Sequence, residues 1–210
     1  MHHPRVENGV VVGTGSDKYQ TKNPIARYAL NQLLETVVAF VGSANPSTIL
    51  EVGCGEGNIT ELLLRHTHAS IHATDVSLAL ANEAKSRIGE HARLQFSELN
   101  IYDLEGSRYA SEVVVCCEVL EHLEHPDEGL RRIAKATKGL AVLSVPREPN
   151  FRLLNFFRGQ HFTALGNAPG HVQHWSKPAF VKFVQTEFDV LRVKALLPWT
   201  VVLARPRLAS

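Results

Sequence analysis

The residues best suited to chemistry fall into three groups. The first is Glu51-Val52-Gly53-Cys54-Gly55-Glu56-Gly57. Glycines at alternate positions permit a tight turn and let the backbone approach a ligand closely. A dinucleotide site uses G-x-G-x-x-G and seats a diphosphate on a helix N-terminus. Here the spacing is G-x-G-x-G and an acid, Glu51, precedes it, which suits a ligand with a positively charged amino-acid end. The second group is Asp75 with Asn100-Ile101. Asp75 can accept hydrogen bonds from both ribose hydroxyls, a role it would share with dinucleotide folds. Asn100 and Ile101 offer an amide and an apolar side chain for adenine.

The third group is Glu118-Val119-Leu120-Glu121-His122. Glu118, Glu121 and His122 are spaced i, i+3, i+4, so one helical turn would gather them on one face. Two carboxylates and an imidazole are a mixed oxygen and nitrogen set that fits Mg²⁺ or Mn²⁺ better than a structural zinc.

These groups need elements to hold them. Asn23-Pro24 reads as a helix N-cap followed by proline, and 25–41 carries helical apolar spacing up to Gly42. Residues 48–52 form a short strand ending in the glycine cluster; 59–65 is helical; 70–74 is a strand closed by Asp75; 78–88 is a helix. Strands follow at 93–97 and 112–117, a helix at 127–137, and a strand at 140–145. Alternation of this kind gives an α/β fold with a mainly parallel sheet and helices on both faces. The end differs: a helix at 178–185 precedes strands at 188–193 and 200–204, joined too closely to be parallel. Residues 8–22 read as a polar, glycine-containing lead.

Together these residues resemble the class I S-adenosylmethionine (SAM)-dependent methyltransferases of the small ubiquinone-pathway type, strongly over 48–144 and by topology in the terminal hairpin. The resemblance implies one Rossmann-like domain over 1–210: a seven-stranded, mainly parallel sheet with a C-terminal antiparallel hairpin, residues 1–47 as cap segment and helix, and 146–176 as substrate insert. In that family the positions of Gly53, Gly55 and Gly57 line the methionine part of SAM, and that of Asp75 binds ribose. Aspartate is usual where this chain has Asn100; asparagine keeps an acceptor there. Glu51, Cys54, Val76, Asn100, Ile101 and Cys117 complete the expected cofactor contacts. Asp17 to Asn23 resembles the leading segment that folds over SAM in small members, with Tyr19 as its cover.

The E-x-x-E-H stretch looks like that of two metal-assisted families, the small-RNA 3′-terminal 2′-O-methyltransferases and the ubiquinone-pathway catechol O-methyltransferases. Both carry a later histidine, matched here by His171 in Gly170-His171-Val172-Gln173-His174-Trp175. The resemblance thus implies Glu118, Glu121, His122 and His171 around Mg²⁺ or Mn²⁺, which would lower the pKa of the acceptor oxygen. Without a metal, His122 or His171 would serve as general base, with an ordinary pKa near about 6.5, and Glu118 would shape the acceptor pocket.

The formal charge of +1 over 210 residues argues against a dedicated nucleic-acid binder. Three cysteines give no disulfide framework, which favours a reducing cytoplasm. The first residues lack a secretory pattern, and no apolar run is long enough to cross a bilayer. The expected reaction is methyl transfer from SAM to a small acceptor, first a hydroxyl, with N-, C- or S-methylation as alternatives and a non-catalytic SAM-binding regulator as the reading from another class. Within the insert, Asn150 to Arg158 has apolar residues at near-helical spacing. Core packing, a lid over an apolar acceptor and peripheral membrane contact are its three readings. Arg147, Arg152, Arg158 and His161 would suit an anionic group. The oligomeric state has no sequence signature here.

Overall fold

Asn23 starts the first helix as the sequence predicts: its Oδ1 accepts from the amides of Ile25 and Ala26, and Pro24 occupies the first turn. The computed structural model describes residues 5–7, 10–12, 21, 23–147 and 172–207. Its strands are β1 (Arg5–Glu7), β2 (Val10–Val12), β3 (Thr48–Val52), β4 (Ser70–Asp75), β5 (Leu94–Glu98), β6 (Ser111–Cys117), β7 (Thr137–Pro146), β8 (Phe188–Ala195) and β9 (Trp199–Pro206). The helices are α1 (Pro24–Gly42), α2 (Asn58–His66), α3 (Leu78–Ile88), α4 (Gly106–Tyr109), α5 (Pro126–Ala136) and α6 (Lys177–Val184). No helix among the described residues is long and apolar enough to cross a membrane.

Seven strands form one sheet in the order β5-β4-β3-β6-β7-β9-β8. The first five are parallel, and β9 runs antiparallel to both β7 and β8. The chain winds outward from β3 to one edge, then restarts at β6 on the other side of β3. Connections therefore diverge between β3 and β6, and their carboxyl ends open a crevice at this switch point. Alternate side chains of each strand face opposite layers. Leu33, Val37, Ile49, Leu63, Val115 and Val201 pack on the α1/α2 face, while Leu50, Val114, Ile133, Leu143, Phe180 and Val202 pack on the α5/α6 face. Burial on both faces explains why the central strands are continuous apolar runs.

Three details differ from the sequence reading. β1 and β2 pair as a small antiparallel hairpin, Arg5 opposite Val12 and Glu7 opposite Val10, within a stretch read as a polar lead. Three-residue strands are too short for alternation to show. The short α4 was not anticipated. β7 begins at Thr137, directly after α5, where the spacing predicts helix to 137 and strand only from 140. Gly139 makes this possible: a Cβ there would stand 2.7 Å from the Glu112 carbonyl oxygen, so only glycine lets β7 close on β6 at this point.

At the sheet's amino edge, Arg93 closes the end of α2. Its guanidinium donates to the carbonyls of Leu64 (3.1 Å) and the C-cap Thr67 (3.2 Å), which a helix end leaves without internal partners, and to that of Ala69 (2.7 Å) just before β4. Arg93→Ala is expected to cost about 2 kcal/mol, a melting-temperature loss of roughly 4–8 °C. Cofactor affinity should be unchanged, because the crevice lies at the opposite edge. Calorimetric melting with and without ligand checks both.

Candidate cofactor and acceptor site

Gly53, Gly55 and Gly57 all adopt left-handed backbone, with φ of 77°, 52° and 78°. The turn between β3 and α2 thus has its three glycines where L side chains are disfavoured. Their surroundings differ. A Cβ on Gly53 would lie 2.2 Å from Val119 Cγ2, and one on Gly57 would lie 2.9 Å from both Ala84 Cβ and Ile88 Cδ1. A Cβ on Gly55 would meet nothing within 4 Å. Gly53 and Gly57 are therefore packing glycines as well, and Gly55 is the point at which the loop presents bare backbone to open space.

Asp75 fixes this loop. Its Oδ2 accepts from the Gly55 amide at 2.8 Å and its Oδ1 from the Ser77 amide at 2.9 Å, while its own carbonyl accepts from Leu99 at 2.8 Å. The amides of Gly53 and Cys54 donate to Thr74. Three strand ends are thereby tied together, so Val76 lies beside the loop and Asn100 and Ile101 follow at the end of β5. Asn100 Oδ1 accepts from Tyr102 N–H, which holds the amide at the start of a short turn, and Ile101 is buried.

Glu51 is 2% exposed at the base of the loop. Thr60 Oγ donates to its carboxylate at 2.6 Å. Burial pushes its pKa up to about 7 against the lowering effect of that hydrogen bond, and the charge of Asp75 raises it further. Burial likewise drives the Cys54 thiol far above its ordinary range, so Cys54 is an inert wall and no nucleophile.

Across the crevice, β6 ends at Cys117 and the chain turns sharply at Glu118, whose φ of 61° is left-handed. Glu118 N–H donates to the Ser144 carbonyl at 3.0 Å. Its carboxylate accepts from Trp199 Nε1 at 2.7 Å and from Ser144 Oγ at 3.3 Å. Only Leu120–His122 forms a helical turn, a single one of the tighter 3₁₀ type. The helical face expected to gather Glu118, Glu121 and His122 does not form, because the reversal at Glu118 breaks the i, i+3, i+4 register. Glu121 is 1% exposed, and its carbonyl accepts from the amides of Val172 and Gln173; His122 is half-buried. Among the described residues no three His, Cys, Asp or Glu side chains are placed to hold a metal. With Glu118 engaged by Trp199 and Ser144, the described donors alone do not fit Mg²⁺ or Mn²⁺. His171, Tyr19, Arg152, Arg158 and His161 lie outside the described residues, as does most of the 146–176 insert.

Residues 50–142 match the family described as Methyltransferase domain. The sheet order, the left-handed glycine turn and the acid closing β4 agree with that match. Over those residues, just under half of the chain, the protein is similar to a methyltransferase domain. The chain is 28% identical over 162 residues to the ubiquinone biosynthesis O-methyltransferase of Rickettsia bellii, covering 74% of this chain and 63% of that one. It superposes on the methyltransferase domain of a bacterial Hen1 protein with a TM-score of 0.68 and 24% identity, covering 84% and 99% of the two chains. The magnesium protoporphyrin IX methyltransferase of Synechocystis PCC 6803, solved with S-adenosylhomocysteine (SAH) bound, gives 0.69 at 18% identity, covering 91% and 94%. The first curated relatives are matched over only 24 to 63% of their own length. These structural likenesses concern the fold, and proteins with such different acceptors share it.

Several residues of the crevice carry no role in the sequence analysis. Thr60 and Ser77 contact Glu51 and Asp75 on one side; Ser144 and Trp199 hold Glu118 on the other, and Val119 lies over Gly53. Thr60 and Ser77 sit beside helix starts, a signal that was available. Trp199 is 81 residues from its partner Glu118, and no local spacing announces the pair.

Proposed function

We propose that the chain transfers the methyl group of SAM to a hydroxyl of a small, largely apolar acceptor. The observation that carries this reading is the β3–α2 turn: bare backbone at Gly55, clamped by Asp75, above the buried acid Glu51. SAM meets that turn with its amino-acid end, and Asp75 takes the ribose. The acceptor oxygen then attacks the methyl carbon in line with the sulfur; the C–S bond breaks, its electron pair stays on sulfur as neutral SAH, and the hydroxyl proton passes to a base, His122 or His171. Orientation and electrostatics supply most of the acceleration. No step depends on a divalent ion; one at Glu118, Glu121, His122 and His171 would require the Glu118 carboxylate to leave its present partners.

Support for an apolar acceptor comes from the rim. The turn between β8 and β9 carries half-exposed Leu197, and half-exposed Val172 follows beside Glu121. α1 ends shortly before β3 begins, so its first turn, with exposed Ile25 and Tyr28, points to the carboxyl edge. Titration calorimetry should give saturable heats with SAM and SAH and none with NAD, and labelled methyl should pass from SAM to hydroxylated aromatic acceptors. Binding of NAD alone would end this reading.

A further inference from the structure

The outer side of the glycine turn is gripped by the far end of α3. Arg87, in the last turn of that helix, donates from Nε at 3.1 Å and from Nη2 at 3.0 Å to the Glu56 carbonyl. Its Nη1 donates to the carboxylate of Glu61 in the first turn of α2. Glu61 itself donates its amide to the Gly57 carbonyl at 2.9 Å, and its second carboxylate oxygen accepts from Arg65. Ala84, Arg87 and Ile88 are spaced i, i+3, i+4 and share one helix face; the first and last of them are the side chains that close on Gly57. The other end of α3 meets the inner side of the turn. Its N-cap Ser77 donates its amide to Asp75 Oδ1, and Asp75 Oδ2 accepts from Gly55. The turn from Cys54 to Gly57 is thus held from two sides through the two ends of one helix.

Three glycines make this turn intrinsically loose, because glycine loses more conformational freedom on ordering than any other residue. Packing does not hold Gly55, which has nothing within 4 Å of where a Cβ would stand. Backbone hydrogen bonds must do so. The peptide unit joining Glu56 and Gly57 is planar, and both its ends are engaged: the carbonyl by Arg87, and the N–H by the Cys54 carbonyl at 2.9 Å. A ligand that meets a turn already fixed does not have to order it on binding. We propose that Arg87 is a positioning residue for this turn, presetting it through the Glu56 carbonyl and Glu61 for the amino-acid end of SAM. The inference rests on the reading above, that the turn receives SAM. Arg87 touches no reacting atom in this scheme. Its ion pair with Glu61 is partly exposed, at 39% and 27%, and such pairs add little to stability, so the consequence falls on binding more than on folding.

Calorimetric titration with SAH and with 5′-methylthioadenosine, which keeps the adenosyl thioether but has no amino-acid end, tests this. Arg87→Met keeps the apolar stem and removes the fork of donors. It is expected to weaken SAH at least about fivefold, to leave 5′-methylthioadenosine within about twofold, and to lower the melting temperature by no more than about 3 °C. Arg87→Lys, which keeps the charge without the planar fork, should still bind SAH at least about twofold less tightly than wild type. Arg93→Ala is the control for a purely structural role: it should lose stability and keep both affinities. Arg87→Met that binds SAH within twofold of wild type, or that weakens both ligands alike, overturns the proposal. If wild type binds SAH but gives no heat with 5′-methylthioadenosine, the SAH constants of Arg87→Met and Arg93→Ala decide, and equal values overturn it. Wild type that fails to bind SAH faults the cofactor reading itself, and this proposal falls with it.

Discussion

Gly53→Ala is expected to lower the melting temperature by roughly 10 °C, while Gly55→Ala lowers it by only about 3 °C yet weakens SAH binding by at least about tenfold. Both glycines have left-handed backbone, so each alanine carries a strain of about 1 kcal/mol. Their surroundings separate them. At position 53 the new methyl falls 2.2 Å from Val119 Cγ2. Val119 is β-branched and stiff at χ1, so it must leave its rotamer or the turn after β6 must shift, adding about 1–3 kcal/mol. That shift would also displace the adjoining Glu118. At position 55 nothing stands within 4 Å, so the fold tolerates the methyl. The cofactor would not, if the amino-acid end of SAM lies over this loop as proposed, because the methyl projects from it. Melting curves paired with SAH calorimetry decide the matter. Equal melting losses for the two variants, or an unchanged SAH dissociation constant for Gly55→Ala, would show that the open face of the loop is not the cofactor side.

The second large effect concerns Glu51 and pH. Its carboxyl is held at about 7, above the ordinary 4.5, chiefly by burial. In the unfolded chain it ionises above 4.5, whereas the fold keeps the proton until about 7. The neutral acid's contribution is therefore fully present below pH 4.5 and is lost as pH rises from 4.5 to 7, a change of about 3 kcal/mol. Glu51→Gln mimics the neutral acid, so its stability relative to wild type should grow across that interval and level off above it. Ligand binding should run the other way. The ammonium of SAM or SAH favours the carboxylate, so binding expels a proton, and the wild-type SAH dissociation constant should fall roughly eightfold between pH 6 and 7.5. Glu51→Gln should bind more weakly at pH 7.5 and lose the pH dependence. Calorimetry in two buffers of different ionisation enthalpy would count the proton directly; no proton released at pH 6 would dissociate Glu51 from the amino-acid end.

Local chemistry made much of the sheet around the glycine turn readable in advance. Asn23-Pro24 announces α1, the apolar run 48–52 with its glycines announces β3 and its turn, and Asp75 announces the end of β4. The short link between β8 and β9 forces their antiparallel pairing. Each inference rests on residues within a few positions of one another, where backbone sterics and capping act. The stretch after β6 differs from its local reading for the same reason. Glu118, Glu121 and His122 look like one helical face only while the backbone between them is taken as regular, and the left-handed turn at Glu118 removes that face.

The sequence alone determined that strands and helices alternate around a glycine turn designed for close approach, because sterics and periodicity are encoded residue by residue. Only the tertiary structure decided what each group faces. Val119 lies over Gly53 and leaves Gly55 bare; Arg93 closes a helix more than twenty residues earlier; Trp199 reaches back 81 positions to hold Glu118. Those partners are set by strand order and register, which emerge from packing two apolar layers against one sheet and which no short spacing along the chain can express.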